Sequence, residues 1–72
     1  MRPMIDLART GANIARLQQA AGLTARDLQD GLGVTAQAIH KWKNGAALPT
    51  VDNLVVLAAL FGVRIDDILV MV

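Results

Sequence analysis

The sequence predicts an all-α fold of five helices. Two observations carry that expectation. Four threonines are each followed, one helix length later, by a glycine: Thr10 to Gly22, Thr24 to Gly33, Thr35 to Gly45 and Thr50 to Gly62. Between each pair the apolar residues recur at helical spacing, and no alternating strand pattern or internal repeat breaks the series. A threonine hydroxyl accepts a hydrogen bond from an otherwise unpaired N–H of a first helical turn. Glycine closes a helix because it enters the left-handed conformation at little steric cost. Each glycine therefore reads as a helix end, and each threonine as a helix start.

The first helix, opened by Thr10, would bury Ile14, Leu17 and Ala21. The second runs from Thr24, where Asp27 completes an acidic capping box and Leu23 can staple onto Leu28. The third runs from Thr35, with Val34 positioned to staple onto Ile39. The fourth, opened by Thr50 after Pro49, turns Leu54, Leu57, Ala58 and Phe61 inward. After Gly62, "VRIDDILVMV" reads as a short fifth helix, with Asp66 and Asp67 in the first turn, where the helix dipole favours them. Its β-branched tail favours extended structure.

The chain has 72 residues, enough for a single small domain over 1–72, with an ordered core expected over 10–69. It is 54% hydrophobic, more than so small a domain readily hides, which suggests a partner surface. The formal net charge is +1. It is unevenly spread: +2 over residues 1–23, +1 over 24–49 and −2 over 50–72. Cysteine is absent, which removes disulfides and thiolate metal sites. The longest apolar run, Leu54 to Phe61, is far short of the roughly 20 residues that span a bilayer. Asp6 and Arg9 interrupt any signal-peptide core, so a cytoplasmic protein without membrane contact is the expectation.

The chemistry gathers in "VTAQAIHKWKNG", residues 34–45, which holds the lone histidine, the lone tryptophan and both lysines. At about 100° per residue, Gln37, His40, Lys41 and Asn44 share one face of the third helix. Thr35, Ile39 and Trp42 fall on the other, so Trp42 is expected to pack rather than to stack on a base. The preceding connection is only Gly33-Val34 between two short helices. A tight, glycine-containing turn between two helices is the helix-turn-helix unit, whose second helix can enter a DNA major groove.

Over residues 10–69 the chain resembles the Cro/CI-type (xenobiotic-response-element, lambda-repressor-like) helix-turn-helix regulators. The residues that carry the likeness include Asn13-Ile14, Leu17, Gly22-Leu23-Thr24, Leu28, Leu32-Gly33-Val34-Thr35, Gln37-Ala38-Ile39, Lys41-Trp42, Leu48-Pro49, Asn53-Leu54, Phe61-Gly62-Val63 and Asp66-Asp67-Ile68-Leu69. The resemblance implies a five-helix domain that binds operator DNA, usually as a dimer. Its base-reading positions fall on Ala36, Gln37 and Lys41, while Thr35, His40 and Asn44 match positions that touch phosphate or neighbouring bases. The chain departs from the family pattern at Ala25, where glutamine is common, and at Gln29, where a small residue is usual. It departs again at Lys43, in place of glutamate, which adds local positive charge, and at Arg64, in place of a serine cap.

The expected partner is double-stranded DNA, bound by a homodimer, with no cofactor, metal or small-molecule ligand. Gln37 can pair bidentately with adenine, and Lys41 can donate to guanine or phosphate. Arg26 can either meet phosphate or pair with Asp30 four residues on. His40 has no second histidine or cysteine to complete a metal or catalytic site. The chain lacks Ser, Cys, Tyr and Glu, which removes most nucleophiles and general acids, so an enzyme is not expected. The rival reading is a protein-interaction module on the same fold, such as an antitoxin-like or assembly domain. For the dimer, the sequence nominates the apolar chain ends, Met4, Ile5 and Leu7 with Ile68 to Val72, paired within one chain or across a two-fold axis. Val55, Val56 and Leu60 of the fourth helix would extend the interface.

Overall fold

The structure is a computed structural model that describes residues 4–72. Its elements are α1 (Leu7–Ala20), α2 (Ala25–Leu32), α3 (Ala36–Lys43), α4 (Val51–Phe61) and α5 (Ile65–Ile68). Among the described residues there is no sheet, only one antiparallel bridge between Ile5 and Met71. Thr24, Thr35 and Thr50 cap α2, α3 and α4 as the sequence predicts, each hydroxyl accepting from the N–H three residues on. Asp27 also accepts from the Thr24 N–H at 2.8 Å, completing the capping box.

The start of α1 departs from expectation. Asp6, not Thr10, is its cap: the Asp6 carboxylate accepts from the Arg9 N–H at 2.9 Å, and the Asp6 carbonyl accepts from the Thr10 N–H. Aspartate is the stronger cap of the two, and the helix begins at the earlier one. Leu7 therefore belongs to α1. Thr10 is fully buried, and its hydroxyl accepts from the Val70 N–H at 3.0 Å. Ala21, expected in the core, is exposed at the C-cap.

The core takes one fully or almost fully buried aliphatic residue from every helix: Ile14, Leu28, Ile39, Leu57 and Ile68. Leu17, Trp42, Leu54, Ala58 and Phe61 close around them, and Leu23 and Val34 pack on its edge. Each large apolar side chain taken from water contributes roughly 1.5–3 kcal/mol. With one from each helix, no helix can leave without opening the same cluster.

A four-residue helix has no stability of its own. Asn13 of α1 holds α5 in place, its side-chain amide donating to the Asp67 and Ile68 carbonyls at 2.6 and 2.9 Å. These are orphan acceptors of the last turn. Beyond α5 the chain runs extended against its own beginning. Asp6 N–H donates to the Val70 carbonyl and Val72 N–H to the Met4 carbonyl, both at 2.8 Å. The two ends thus pair within one chain.

Two further glycines do not end a helix. Gly11 lies inside α1 and Gly31 inside α2. Each marks a close approach: Gly11 faces the backbone at the end of α3, and Gly31 faces the Leu60 side chain of α4.

Candidate nucleic-acid interface

Between α2 and α3 the chain turns in Gly33, Val34 and Thr35. Gly33 adopts φ 67°, and its N–H donates to the Gln29 carbonyl at 2.8 Å, closing α2. Thr35 caps α3 two residues later. The turn therefore has almost no slack. Val34 is half-buried against the core, which fixes the angle at which α3 departs.

The inner face of α3 is anchored by Ile39 and Trp42, with Trp42 only 6% exposed. Its last turn is set by α1. A Cβ on Gly11 would lie 2.6 Å from the Lys43 carbonyl oxygen and 2.8 Å from its carbon, so α1 sits against this backbone with no room for a side chain. Gly45, at φ 80°, lets the following loop pass close to Ala8, where a Cβ would lie 3.0 Å from the Ala8 Cα.

Held in this way, α3 turns Thr35, Ala36, Gln37, His40, Lys41 and Asn44 to solvent. Ala36, Gln37, His40 and Lys41 line one shallow concavity. Thr35 keeps its hydroxyl proton free, because as a cap it accepts rather than donates. Asn44 folds its side-chain oxygen onto the Ala46 N–H at 3.0 Å, which leaves its amide N–H groups as outward donors. The face has donors at both ends and carries no carboxylate.

The helix-turn-helix family matches residues 14–68. That span is most of the chain and contains α2, the turn and α3. The chain belongs to the helix-turn-helix family. It is also 32% identical over 56 residues to the HTH-type transcriptional activator BcrR of Enterococcus faecalis, a match that takes in 78% of this chain and 28% of that protein. Thus the chain spans little more than a quarter of that relative. Among solved structures, the restriction-modification controller protein C.AhdI of Aeromonas hydrophila superposes with a TM-score of 0.78. That alignment covers 88% of this chain and 96% of the controller protein at 21% identity, and it shows a shared fold. The Cro/CI-type resemblance is thereby shown at the level of family and fold.

In this helix-turn-helix domain, four of the eight residues singled out lie outside the concavity: Thr35 and Asn44, at the two ends of α3, and Lys43 and Arg26. Lys43 is half-buried, one residue past Trp42, and does not line the concavity. Arg26 lies on the first turn of α2, with its guanidinium 3.2 Å from the Asp30 carboxylate. Both side chains of that pair are at least two-thirds exposed, so water competes with the bond. Of the two possibilities for Arg26, the free domain adopts the ion pair, but in a form that a phosphate could displace.

Asp27, on the same turn, is held below the ordinary carboxylate range, first by the Thr24 N–H and then by the Thr24 hydroxyl. It is a structural anion committed to the cap. Arg16 bonds the Asn13 side-chain oxygen through its guanidinium and so steadies the clamp on α5. Arg9 pairs with Asp6 at 3.6 Å. Sequence reasoning missed Gly11, Thr10 and Asn13, the residues that position α3 and close the fold from behind. Only Gly11 carried a usable signal, because glycine within an otherwise good helical pattern marks a close backbone approach.

Among the described residues no cluster of His, Asp or Glu could hold a metal, and no helix is long and apolar enough to cross a membrane.

Proposed function

We propose that this domain binds DNA in a sequence-specific manner, with α3 in the major groove, as the reading head of a homodimeric transcriptional regulator. The observation that carries the proposal is the α3 face itself. Gln37, His40 and Lys41 project from one side of a helix whose other side is locked into the core, so hydrogen-bonding groups reach base edges without loss of packing. Phosphate contacts would come from Thr35, Asn44 and Arg26 at the flanking helix ends. We take repression as the direction of control, since a bound domain acts most directly by occupying a promoter. The BcrR relative is named an activator, and activation is the other outcome of a reporter assay.

The homodimer reading rests on α4. From Leu54 to Phe61 that helix is apolar all round, yet Val55 is 53% and Val56 37% exposed. A helix apolar on every side is normally covered on every side. The chain ends, nominated from the sequence, are engaged with each other within one chain, so we assign the two-fold contact to α4. A symmetric dimer suits a palindromic operator with half-sites about one helical turn apart.

The same apolar face, together with a net charge of only +1, favours one rival: a domain that docks on another protein. Gel shift at low and moderate salt, with DNA from upstream of the protein's own gene and a shuffled control, separates the two. Retarded specific DNA supports the regulator. Failure to retard any duplex at low salt supports the docking module.

A further inference from the structure

Along α1 and the tail runs a second concavity, of about 290 Å³, lined by Arg9, Ala12, Asn13, Arg16 and Val70. None of these residues lines the α3 concavity. Gly11 turns toward α3, and at about 100° per residue Arg9, Ala12 and Arg16 point at least a quarter-turn away from it. The two arginines leave α1 about 10.5 Å apart, with Ala12 exposed between them. Half-buried Val70, whose N–H is held by Thr10, supplies an apolar wall. Arg16 is an uncompensated charge. Both its bonds go to the neutral Asn13 side-chain oxygen, and among the described residues it forms no ion pair. Arg9 stands 3.6 Å from Asp6 with its side chain 77% exposed, and that carboxylate already accepts from the Arg9 N–H. The acids of α5 are turned to Arg64: Asp66 lies 3.5 Å from its guanidinium, and Asp67 accepts from its N–H at 2.9 Å.

We propose that this face of α1 is a docking surface for an acidic amphipathic helix of a protein partner, one that carries two carboxylates seven residues apart with an apolar residue between them. Charge complementarity and spacing name that partner. Helices laid side by side share the same rise, so carboxylates seven residues apart come level with Arg9 and Arg16. The residue midway, on the same stripe, then meets Ala12 and Val70. Ala12 ends at its Cβ and lets the partner approach, while the arginine stems cover the apolar residue from either side. Each guanidinium keeps N–H groups for a paired contact with a carboxylate. Ion pairs at such exposure are individually weak and screened by salt, so the contact is transient and strongest at low ionic strength. The inference goes beyond the DNA-binding reading and does not rest on it. The two concavities share no residue, so one can be engaged while the other is.

The probe is a fluorescein-labelled, alanine-based helical peptide with two glutamates seven residues apart and a leucine midway, titrated with the full chain at low salt. One control is an isomer whose second glutamate is moved two residues along, onto the far side of the helix. The other has both glutamates replaced by glutamine. The parent should bind the designed peptide several-fold tighter than the isomer and about tenfold tighter than the glutamine form. Arg9→Gln and Arg16→Gln should each weaken the designed peptide by up to about fivefold. Ala12→Glu leaves both arginines and the α5 clamp in place but sets a carboxylate between them, and it should abolish binding with helicity unchanged. All three variants should keep the parent's affinity for a selected duplex and its salt slope. The inference is overturned if the parent binds no peptide, if the isomer binds as tightly as the design, or if Ala12→Glu and the arginine variants bind like the parent. It is also overturned if those variants weaken duplexes of any sequence and flatten the salt slope, which would make α1 a phosphate contact. A parent that discriminates the peptides but binds no duplex keeps this surface and loses the DNA-binding reading.

Discussion

Gly11 in the middle of α1 lies directly against the carbonyl of Lys43 at the end of α3, with no space for even one methyl between them. This contact sets how far α3 stands out from the body of the domain. It makes a prediction opposite to helix propensity. Alanine is the better helix former by about 1 kcal/mol. Gly11→Ala should nevertheless destabilise by roughly 1–3 kcal/mol, because the atoms it meets are backbone and cannot step aside. Gly31→Ala is the internal control. Its Cβ would meet the Leu60 Cδ1 at 3.1 Å, the tip of a side chain that is 36% exposed and free to shift. That variant should be neutral or more stable by up to about 1 kcal/mol in urea denaturation. If both variants behave alike, the close approach at Gly11 is not structurally decisive.

The tail is tied down through Thr10. Thr10→Val keeps shape but removes the acceptor for the Val70 N–H. An unpaired, partly buried N–H costs about 1–3 kcal/mol. Global stability should fall within that range, and Val70 should lose amide-exchange protection before the helices do. Unchanged protection at Val70 would show that the bond contributes nothing.

Acid should weaken the α2 cap. The folded-state pKa of Asp27 is depressed, so its contribution to stability is complete above the ordinary carboxyl value of 3.8 and is lost as pH falls through the folded value. Asp27→Asn should therefore be less stable than the parent at neutral pH, and the difference should close below pH 3.8. Denaturation midpoints taken at neutral pH and in acid check the sign. A gap that persists unchanged in acid would mean the carboxylate charge is not what stabilises the cap.

Val55→Asp places a charge on the exposed face of α4. If that face joins two copies, the parent should scatter light as a dimer and the variant as a monomer of unchanged helicity. Truncation after Leu69, by contrast, should cost stability rather than association, because the tail is bound within its own chain. A Val55→Asp protein that still dimerises would move the interface elsewhere.

The parts legible in the sequence were those governed by local rules. Thr24, Thr35 and Thr50 cap helices because a hydroxyl next to a first turn has few other partners, and Gly33 ends α2 because the chain reverses there. The outward face of α3 followed from helical angle alone, and so did the burial of Trp42. The illegible parts depend on residues far apart in the chain. Thr10 looked like a cap until Asp6 was seen to occupy that role four residues earlier. Its hydroxyl is used by Val70, sixty residues away. Asn13 and Gly11 serve partners on α5 and α3 that no local pattern specifies. Lys43 carries the same charge as Lys41 but is half-buried next to Trp42 and does not line the concavity, which the spacing alone does not reveal.

The central claim is that the solvent-facing side of α3 reads base edges. The direct measurement is fluorescence anisotropy of the parent, Gln37→Ala and Lys41→Ala on a selected duplex and on a shuffled one, across a salt series, with Arg26→Ala alongside. Each α3 variant should lose about 1–3 kcal/mol on the selected duplex and little on the shuffled one, with a changed base preference. Arg26→Ala should weaken both duplexes alike and flatten the salt slope by about 1. If Gln37→Ala and Lys41→Ala bind the selected duplex with the parent's affinity and preference, α3 does not read DNA through this face.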